Sequence, residues 1–280
     1  MLKNLNAIDK STLWYHSTLL LFILVFSSRI HAWYFEILLN FGTIFIILFI
    51  VSKIGNGSPP FLRFLRFFYP IILFTPAYLQ TGRINRVFFH DFMDPFFQGA
   101  EFSLFGFQPA LAFSDRFPQG WVCEWMHFAY FSYYLMIPGL ALFLYFARGE
   151  REQKNYLFAL CIMFYACYLC YIFLPVEGPL SFGKGEFSQG GLFTRIMKAV
   201  YLDLENPGAA FPSSHVAVTL LVVYYSFIYA KKIAPIFFVL GISLIFATVY
   251  CRYHYAIDVL AGIAMAGAWV FWALCAKRLR

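Results

Sequence analysis

Charged side chains are scarce in this sequence. Only 12% of its 280 residues are Asp, Glu, Lys or Arg, whereas 61% are hydrophobic. A soluble globular domain carries about 25% charged residues, so this deficit excludes an ordinary water-soluble fold. Lipid is the expected main solvent, and one continuous bundle of membrane helices is the expected fold.

Basic clusters, metal motifs and repeats are lacking too. The net charge is +7, but no basic helix or run of Lys and Arg supports a nucleic-acid partner. Cys167 and Cys170 lie inside an apolar run with no second pair, which predicts core packing rather than a metal or redox site. No cofactor is expected.

Long apolar runs give the positive signal. A transmembrane helix needs about 20 mainly apolar residues. Windows of this length predict an all-α, polytopic integral membrane bundle with about eight spans. The predicted spans are residues 12–28, 33–52, 61–79, 122–146, 156–174, 213–230, 234–250 and 255–276.

Lys and Arg concentrate in every second connection between these spans. Lys53, Arg148 and Lys231 mark three such short connections, and the positive-inside rule places them in the cytoplasm together with both termini. The long connections near 82–120 and 176–211 then lie on the other side of the membrane. Their aromatic residues predict interfacial helices there.

Two polar segments interrupt the apolar pattern. Residues 211–215 read Phe-Pro-Ser-Ser-His, and residues 252–258 read Arg-Tyr-His-Tyr-Ala-Ile-Asp. Ionisable groups in or beside membrane spans are rare and usually functional. His215 begins one predicted span and His254 follows the next, so two crossings separate them. Both are therefore expected in one pocket on the non-cytoplasmic face.

His254 and Asp258 have the spacing of neighbours on one helix face. A carboxylate in this position can accept the imidazole Nδ1–H and fix the tautomer. Nε2 then keeps a free lone pair for attack on an electrophile, as in a hydrolase triad. This pair is the predicted catalytic dyad.

The residues before His215 predict a phosphate site. Pro212, Ser213 and Ser214 are typical of a helix start, and the free N–H groups at a helix start favour an anion such as phosphate. Bound phosphate would favour protonated His215, which could donate a proton to a leaving alcohol. Phosphoryl transfer also needs cations. The candidates are Arg252 and, in the long second connection, Lys184 and Arg195.

The two polar segments resemble a known family. Residues 212–215 resemble the Pro-Ser-Gly-His motif of the type 2 phosphatidic acid phosphatase superfamily, and His254-x-x-x-Asp258 resembles the end of its Ser-Arg-x5-His-x3-Asp motif. The resemblance implies a six-helix catalytic core, here residues 61–280, after an N-terminal pair of spans in residues 1–60. It also implies metal-independent transfer through a phosphohistidine, with His254 as nucleophile, Asp258 as its orienting partner and His215 as general acid.

The chain departs from that family pattern in its cations. The Lys-x6-Arg-Pro motif is absent, because the sequence contains no Arg-Pro dipeptide, and Ala247 and Thr248 stand at the Ser-Arg positions. Arg252 is a possible replacement. The departures affect the phosphate-binding residues, whereas the two histidines and the aspartate fit the pattern.

Several functions agree with these residues. The leading expectation is a lipid phosphate phosphatase. Residues 254–259 also resemble sphingomyelin synthases, and residues 250–258 inositol phosphorylceramide synthases, so head-group transfer to a second alcohol or lipid acceptor is a close alternative. From other classes, a proton-coupled transporter would use the same groups as a relay, and a metal hydrolase would use them as ligands.

Overall fold

The computed structural model describes residues 4–55, 57–182, 190–203 and 206–278. Within these ranges the chain is all-α, and its one isolated backbone bridge pairs Val176 with Ala209. The expected fold class is therefore confirmed.

Eleven α-helices lie in the described ranges. They are α1 (Ala7–Val25), α2 (Trp33–Lys53), α3 (Pro60–Ile84), α4 (Asp94–Phe105), α5 (Pro109–Arg116), α6 (Gly120–Ala147), α7 (Glu150–Phe173), α8 (Leu192–Asp203), α9 (Ser214–Tyr229), α10 (Ala234–Tyr250) and α11 (Ala256–Arg278). The eight helices other than α4, α5 and α8 coincide with the eight predicted spans. Those three occupy the two long connections, where helices were expected.

Local sequence explains where the helices differ from the predicted spans. α1 begins at Ala7 because Asn6 and Asp9 form a capping box, in which each side chain accepts the other residue's backbone N–H. α3 continues through Pro70 and Pro76 to Ile84, since neighbouring helices can support a proline inside a membrane helix.

Five helices in the described part are long and apolar enough to cross a membrane, namely α2, α3, α6, α7 and α11 as far as Ala276. α9 and α10 are also apolar, but they have only 16 and 17 residues. The count of eight spans therefore stays a prediction. Large apolar side chains cover the outside of these helices, as expected for lipid-facing surfaces; examples are Phe45, Ile236 and Phe271.

The bundle has two chemically different ends. At one end, Arg148 after α6 donates to the carbonyl of Tyr229 in the last turn of α9 (2.7 Å), and Arg63 pairs with Glu150 (3.0 Å). This basic end contains the short Lys- and Arg-rich connections. The opposite end, here called the site end, contains the start of α9 and the turn between α10 and α11.

Ion pairs attach the first two helices to the third. Arg66 of α3 binds Asp9 of α1 (2.9 Å), and Arg83 of α3 binds Glu36 of α2 (2.6 Å). The Arg66–Asp9 pair is buried, and a buried ion pair breaks at a high cost when one partner is removed, so it fixes how α1 sits against α3. In the second pair Glu36 is buried whereas Arg83 is exposed, and the pair connects α2 to α3. Both pairs cross the predicted domain boundary at residue 60, and that division stays a prediction.

Candidate active site

The two predicted histidines meet at the site end. His215 lies in the first turn of α9, and His254 lies in the turn between α10 and α11. The Nδ1 atom of His215 is 3.5 Å from the Nε2 atom of His254, and the ring centroids are 5.6 Å apart. The structure thus brings together two side chains that are 39 residues apart in sequence.

The other nitrogen of His254 has two oxygen neighbours. Nδ1 lies 2.9 Å from the carbonyl oxygen of Ala210 and 3.4 Å from Oδ2 of Asp258. A carbonyl can only accept, so Nδ1 carries the proton and Nε2 carries the lone pair. The orienting role predicted for Asp258 alone is therefore shared with Ala210, whose carbonyl is the nearer acceptor.

Asp258 has a second contact that explains its longer distance to the imidazole. Its Oδ2 atom accepts the backbone N–H of Tyr255 at 2.8 Å, immediately before α11. Asp258 is fully buried, and a helix start offers free N–H groups to a carboxylate. One carboxylate oxygen therefore connects the start of α11 to the ring of His254.

The start of α9 is fixed by the residues predicted to bind phosphate. The hydroxyl of Ser213 accepts the N–H of Val216 at 3.3 Å, which makes Ser213 the N-cap of α9. The N–H of Ser214 donates to the hydroxyl of Tyr171 at 3.3 Å. Both serines are buried. Their observed contacts hold the helix start, and phosphate binding by them stays a prediction.

A close helix contact joins the start of α9 to α11. The N–H of Ser213 donates to the carbonyl of Asp258 at 3.1 Å. Beside it, a Cβ added to Gly262 would lie 2.6 Å from the carbonyl oxygen of Ser213. Only glycine permits this approach. The spacing between His215 and the His254–Asp258 pair therefore depends on backbone contact.

Two tyrosines of α6 enclose His215 and were missed by sequence reasoning. The hydroxyl of Tyr130 lies 3.3 Å from Nδ1 of His215, and the rings of Tyr130 and Tyr133 lie 4.6 and 4.3 Å from the imidazole. The chain has 19 tyrosines, so composition does not single these two out. Their spacing of three residues puts them on one helix face, which was the only available signal.

The structure describes two of the three cations predicted to bind phosphate. The guanidinium of Arg252 binds Oγ of Ser114 (2.9 and 2.7 Å) and Oδ1 of Asp115 (3.0 Å) on α5. Arg195 is exposed on α8. Lys184 lies outside the described residues. Arg252 thus ties the turn before His254 to α5, and its part in binding phosphate stays a prediction.

A cavity of about 230 Å³ adjoins His215 and Ser214. Near the histidine its wall is formed by tyrosines, whereas further along the helices it is formed mainly by apolar side chains. α8 contributes lining side chains as well. Its lining includes Tyr78, Tyr130, Tyr133 and Tyr201 near the histidine, and Ile71, Phe74, Ile137 and Phe164 further from it.

Glu124 of α6 holds α8 beside the cavity. Its carboxylate accepts the backbone N–H groups of Gly191, Phe193 and Thr194 and the hydroxyl of Thr194, at 2.6 to 3.1 Å. Free N–H groups at a helix start need such an acceptor. The sequence did not reveal this role, because the partners lie about 70 residues away.

Over the described ranges, no group of three His, Cys, Asp or Glu side chains is placed to hold a metal ion. The proposed catalytic groups are instead two imidazoles and one carboxylate, joined by the contacts above. This arrangement suits nucleophilic and acid–base chemistry.

Comparison with protein families gives a match that includes the site. A family model of the PAP2 superfamily matches residues 103–272. The matched segment contains His215, His254 and Asp258. No curated protein and no solved structure matches the chain at a significant level.

Proposed function

Because the chain belongs to the PAP2 superfamily, a family of phosphatases and phosphotransferases, we propose that it is a multi-pass membrane enzyme acting on a lipid phosphoester. His254 is the nucleophile, Asp258 its orienting partner and His215 the general acid. The observation that carries this proposal is the 3.5 Å approach of His215 Nδ1 to His254 Nε2, with Nδ1 of His254 held by oxygen acceptors.

The reaction follows from the tautomer of His254. Its Nδ1–H is held by Ala210 and Asp258, so Nε2 directs its lone pair at phosphorus. The new N–P bond forms as the bond from phosphorus to the leaving oxygen breaks, and His215 gives that oxygen a proton. Asp258 stabilises the positive charge on the substituted imidazole. No step of this sequence requires a metal ion.

The second half of the reaction depends on the acceptor. Water attacking the phosphohistidine releases phosphate, whereas an alcohol forms a new phosphoester. His215, now deprotonated, takes the proton of the attacking hydroxyl in either case. The leading proposal is hydrolysis of a lipid phosphate.

Substrate binding must separate the two rings. At 3.5 Å, the gap between the ring nitrogens is too small for a phosphoryl group with its leaving oxygen. His254 is buried, whereas His215 is partly exposed and lies beside the cavity. We infer that His215 is the ring that moves, since the cavity gives it space.

The shape of the cavity supports a lipid substrate. The hydroxyl of Tyr130 lies near His215, and the lining of the cavity extends about 12 Å along α6, from Tyr130 to Pro138, at about 1.5 Å per helical residue. A ligand that fits has a polar head at the histidines and an apolar chain inside the bundle. A soluble phosphate ester would leave the apolar part unfilled.

The basic end of the bundle supports a non-cytoplasmic site. Arg148 and Arg63 lie at the end opposite His215, and Lys- and Arg-rich connections face the cytoplasm. The histidines are then expected on the outer face. Accessibility of an engineered cysteine at Asp91, which is exposed near the site end, to an impermeant thiol reagent in intact cells tests this orientation.

Head-group transfer is the second candidate, and the burial of His254 favours it. Only 3% of that residue is exposed, so bulk water has little access to the attacking nitrogen. A second lipid alcohol could approach through the cavity instead. Acceptor dependence separates the two reactions, because hydrolysis releases phosphate without an added alcohol.

The decisive experiment uses purified protein and a panel of lipid phosphates and phosphodiesters, with and without alcohols. His254→Ala should abolish turnover and the acid-labile phosphoenzyme while the protein stays folded. His90→Ala is the matched control, because His90 is exposed near the site end. Normal turnover in His254→Ala would remove it as the nucleophile. Transport without any phosphoester chemistry would favour the transporter.

A further inference from the structure

Helix α4 lies against the chain segment that carries His254. Two of its side chains, Asp94 and Glu101, are seven residues apart and therefore lie on one helix face. Both are buried, with 1% and 0% of the residue exposed. Both precede residue 103, where the match to the family model begins. Buried carboxylates without a binding or structural task are rare.

Asp94 joins α4 to two other parts of the site end. Its Oδ2 atom accepts the N–H of Glu177 at 2.8 Å, and its Oδ1 atom accepts the N–H of Gly178 at 2.9 Å. Oδ1 also accepts the hydroxyl of Tyr255 at 3.0 Å, the residue directly after His254. One carboxylate therefore holds the loop after α7 and the turn before α11 at once.

The loop held by Asp94 in turn supports the acceptor of His254. The N–H of Ala210 donates to the carbonyl of Val176 at 2.8 Å. The carbonyl of the same Ala210 accepts the Nδ1–H of His254. Two hydrogen-bonded steps thus connect the Asp94 loop to the imidazole.

Gly178 packs this loop against the chain on the other side of His254. Its φ is +101°, which favours glycine. A Cβ there would lie 2.8 Å from the carbonyl oxygen of Tyr253. The loop therefore contacts the backbone before His254, while Asp94 contacts Tyr255 after it.

Glu101 holds the same turn from its other side. Its Oε1 atom accepts the N–H of Ala256, the first residue of α11. A carboxyl oxygen at a helix start satisfies a free backbone donor. Asp258 and Glu101 thus hold two successive backbone N–H groups, those of Tyr255 and Ala256.

We propose that Asp94 and Glu101 are positioning residues for His254, which hold the turn 253–256 and the carbonyl of Ala210 so that Nε2 faces His215. This inference rests on the proposed function, since it assigns a task relative to the proposed nucleophile. Neither carboxylate touches the reacting atoms. They act on the direction of the attacking lone pair. The reaction rate is sensitive to this direction, because a displacement of a reacting group by about 1 Å can lower the rate about 100-fold.

The experiment compares Asp94→Asn and Tyr255→Phe with the control Asp91→Asn. An asparagine at position 94 points an amide N–H at one of the loop donors, and Tyr255→Phe removes only one hydroxyl contact. Asp91 is exposed three residues before Asp94. In the full-length protein, kcat, KM and amide exchange at residues 177, 178 and 256 are measured for each variant.

A positioning role predicts a large effect on kcat and a small effect on KM. In Asp94→Asn we expect kcat to fall about 10- to 100-fold with KM changed less than about twofold. The three amides should exchange at least about tenfold faster. Tyr255→Phe should show a smaller change in the same direction, and Asp91→Asn should match the wild type.

The results that would contradict the positioning role can be told apart from those that would contradict the proposed function. Wild-type kcat in both Asp94→Asn and Tyr255→Phe would overturn the proposal, as would a lower kcat with unchanged amide exchange. If Asp94→Asn does not fold, Tyr255→Phe decides by the same criteria. If the wild type turns over no phosphoester, the proposed function fails, whereas the amide exchange still shows whether Asp94 holds the turn.

Discussion

The substitution Gly262→Ala tests whether the contact between α9 and α11 sets the geometry of the site. The added Cβ would lie 2.6 Å from the carbonyl oxygen of Ser213 and 3.1 Å from Cβ of Val216. Both neighbours belong to the start of α9, two residues or fewer from His215. The backbone oxygen cannot rotate away as a side chain could, so the helices must move apart.

The structure gives the size of this movement. Ordinary contact begins at 3.4 Å, so the start of α9 must shift by 3.4 − 2.6, or about 0.8 Å. A displacement of about 1 Å between reacting groups can lower the rate about 100-fold, which gives an expected loss in kcat of about 10- to 100-fold. Overpacking also costs about 1–3 kcal/mol of stability, partly offset by the better helix propensity of alanine, about 1 kcal/mol.

The assay measures kcat on a lipid phosphate and thermal unfolding of the same detergent-purified sample. Gly267→Ala is the matched control on the same helix, because nothing lies within 4 Å of its added Cβ. We expect that variant to keep full activity and stability. If Gly262→Ala also kept the wild-type kcat and melting temperature, the close contact would not govern the distance between the histidines.

Three further results are expected. Asp258→Asn should lower kcat by orders of magnitude because it loses the charge that orients His254; near-normal kinetics would leave Ala210 as the sufficient partner. Tyr130→Phe, which removes the hydroxyl 3.3 Å from His215, should lower kcat several-fold and shift its pH profile, whereas Tyr134→Phe should do neither. Burial raises the pKa of Glu101 from 4.5 to about 7, so between these two pH values the folded state keeps a proton that the unfolded state has lost. The free energy of unfolding therefore decreases as pH rises from about 4.5 to 7. The melting temperature should therefore fall less over this range in Glu101→Gln than in the wild type, and parallel curves would contradict this.

The positions of the helices followed closely from the sequence. All eight predicted spans correspond to helices, because long apolar runs satisfy their backbone hydrogen bonds internally in lipid. The errors were at ends set by local contacts, such as the capping box of Asn6 and Asp9. Length and composition alone did not settle how many helices cross the membrane, since α9 and α10 are short.

The site followed from the sequence only in part. His215, His254 and Asp258 were identified because ionisable groups are conspicuous in apolar sequence. Tyr130 was not, because one tyrosine among many in an apolar helix has no distinguishing neighbour in sequence. The task inferred for Asp94 depends on a loop about 80 residues further along the chain, and residue type alone does not place that loop beside it.

Hydropathy and residue type act locally along the chain, so they are enough to predict a lipid environment, the helices and the side chains with reactive chemistry. In contrast, the approach of two imidazoles 39 residues apart to within 3.5 Å arises only in the folded bundle. The same is true of the backbone carbonyl of Ala210 as the nearest acceptor to His254. Backbone carbonyls are the same in every residue, so no residue type marks which one will accept a proton. That choice arises from packing, through the contact at Gly262 and the loop held by Asp94.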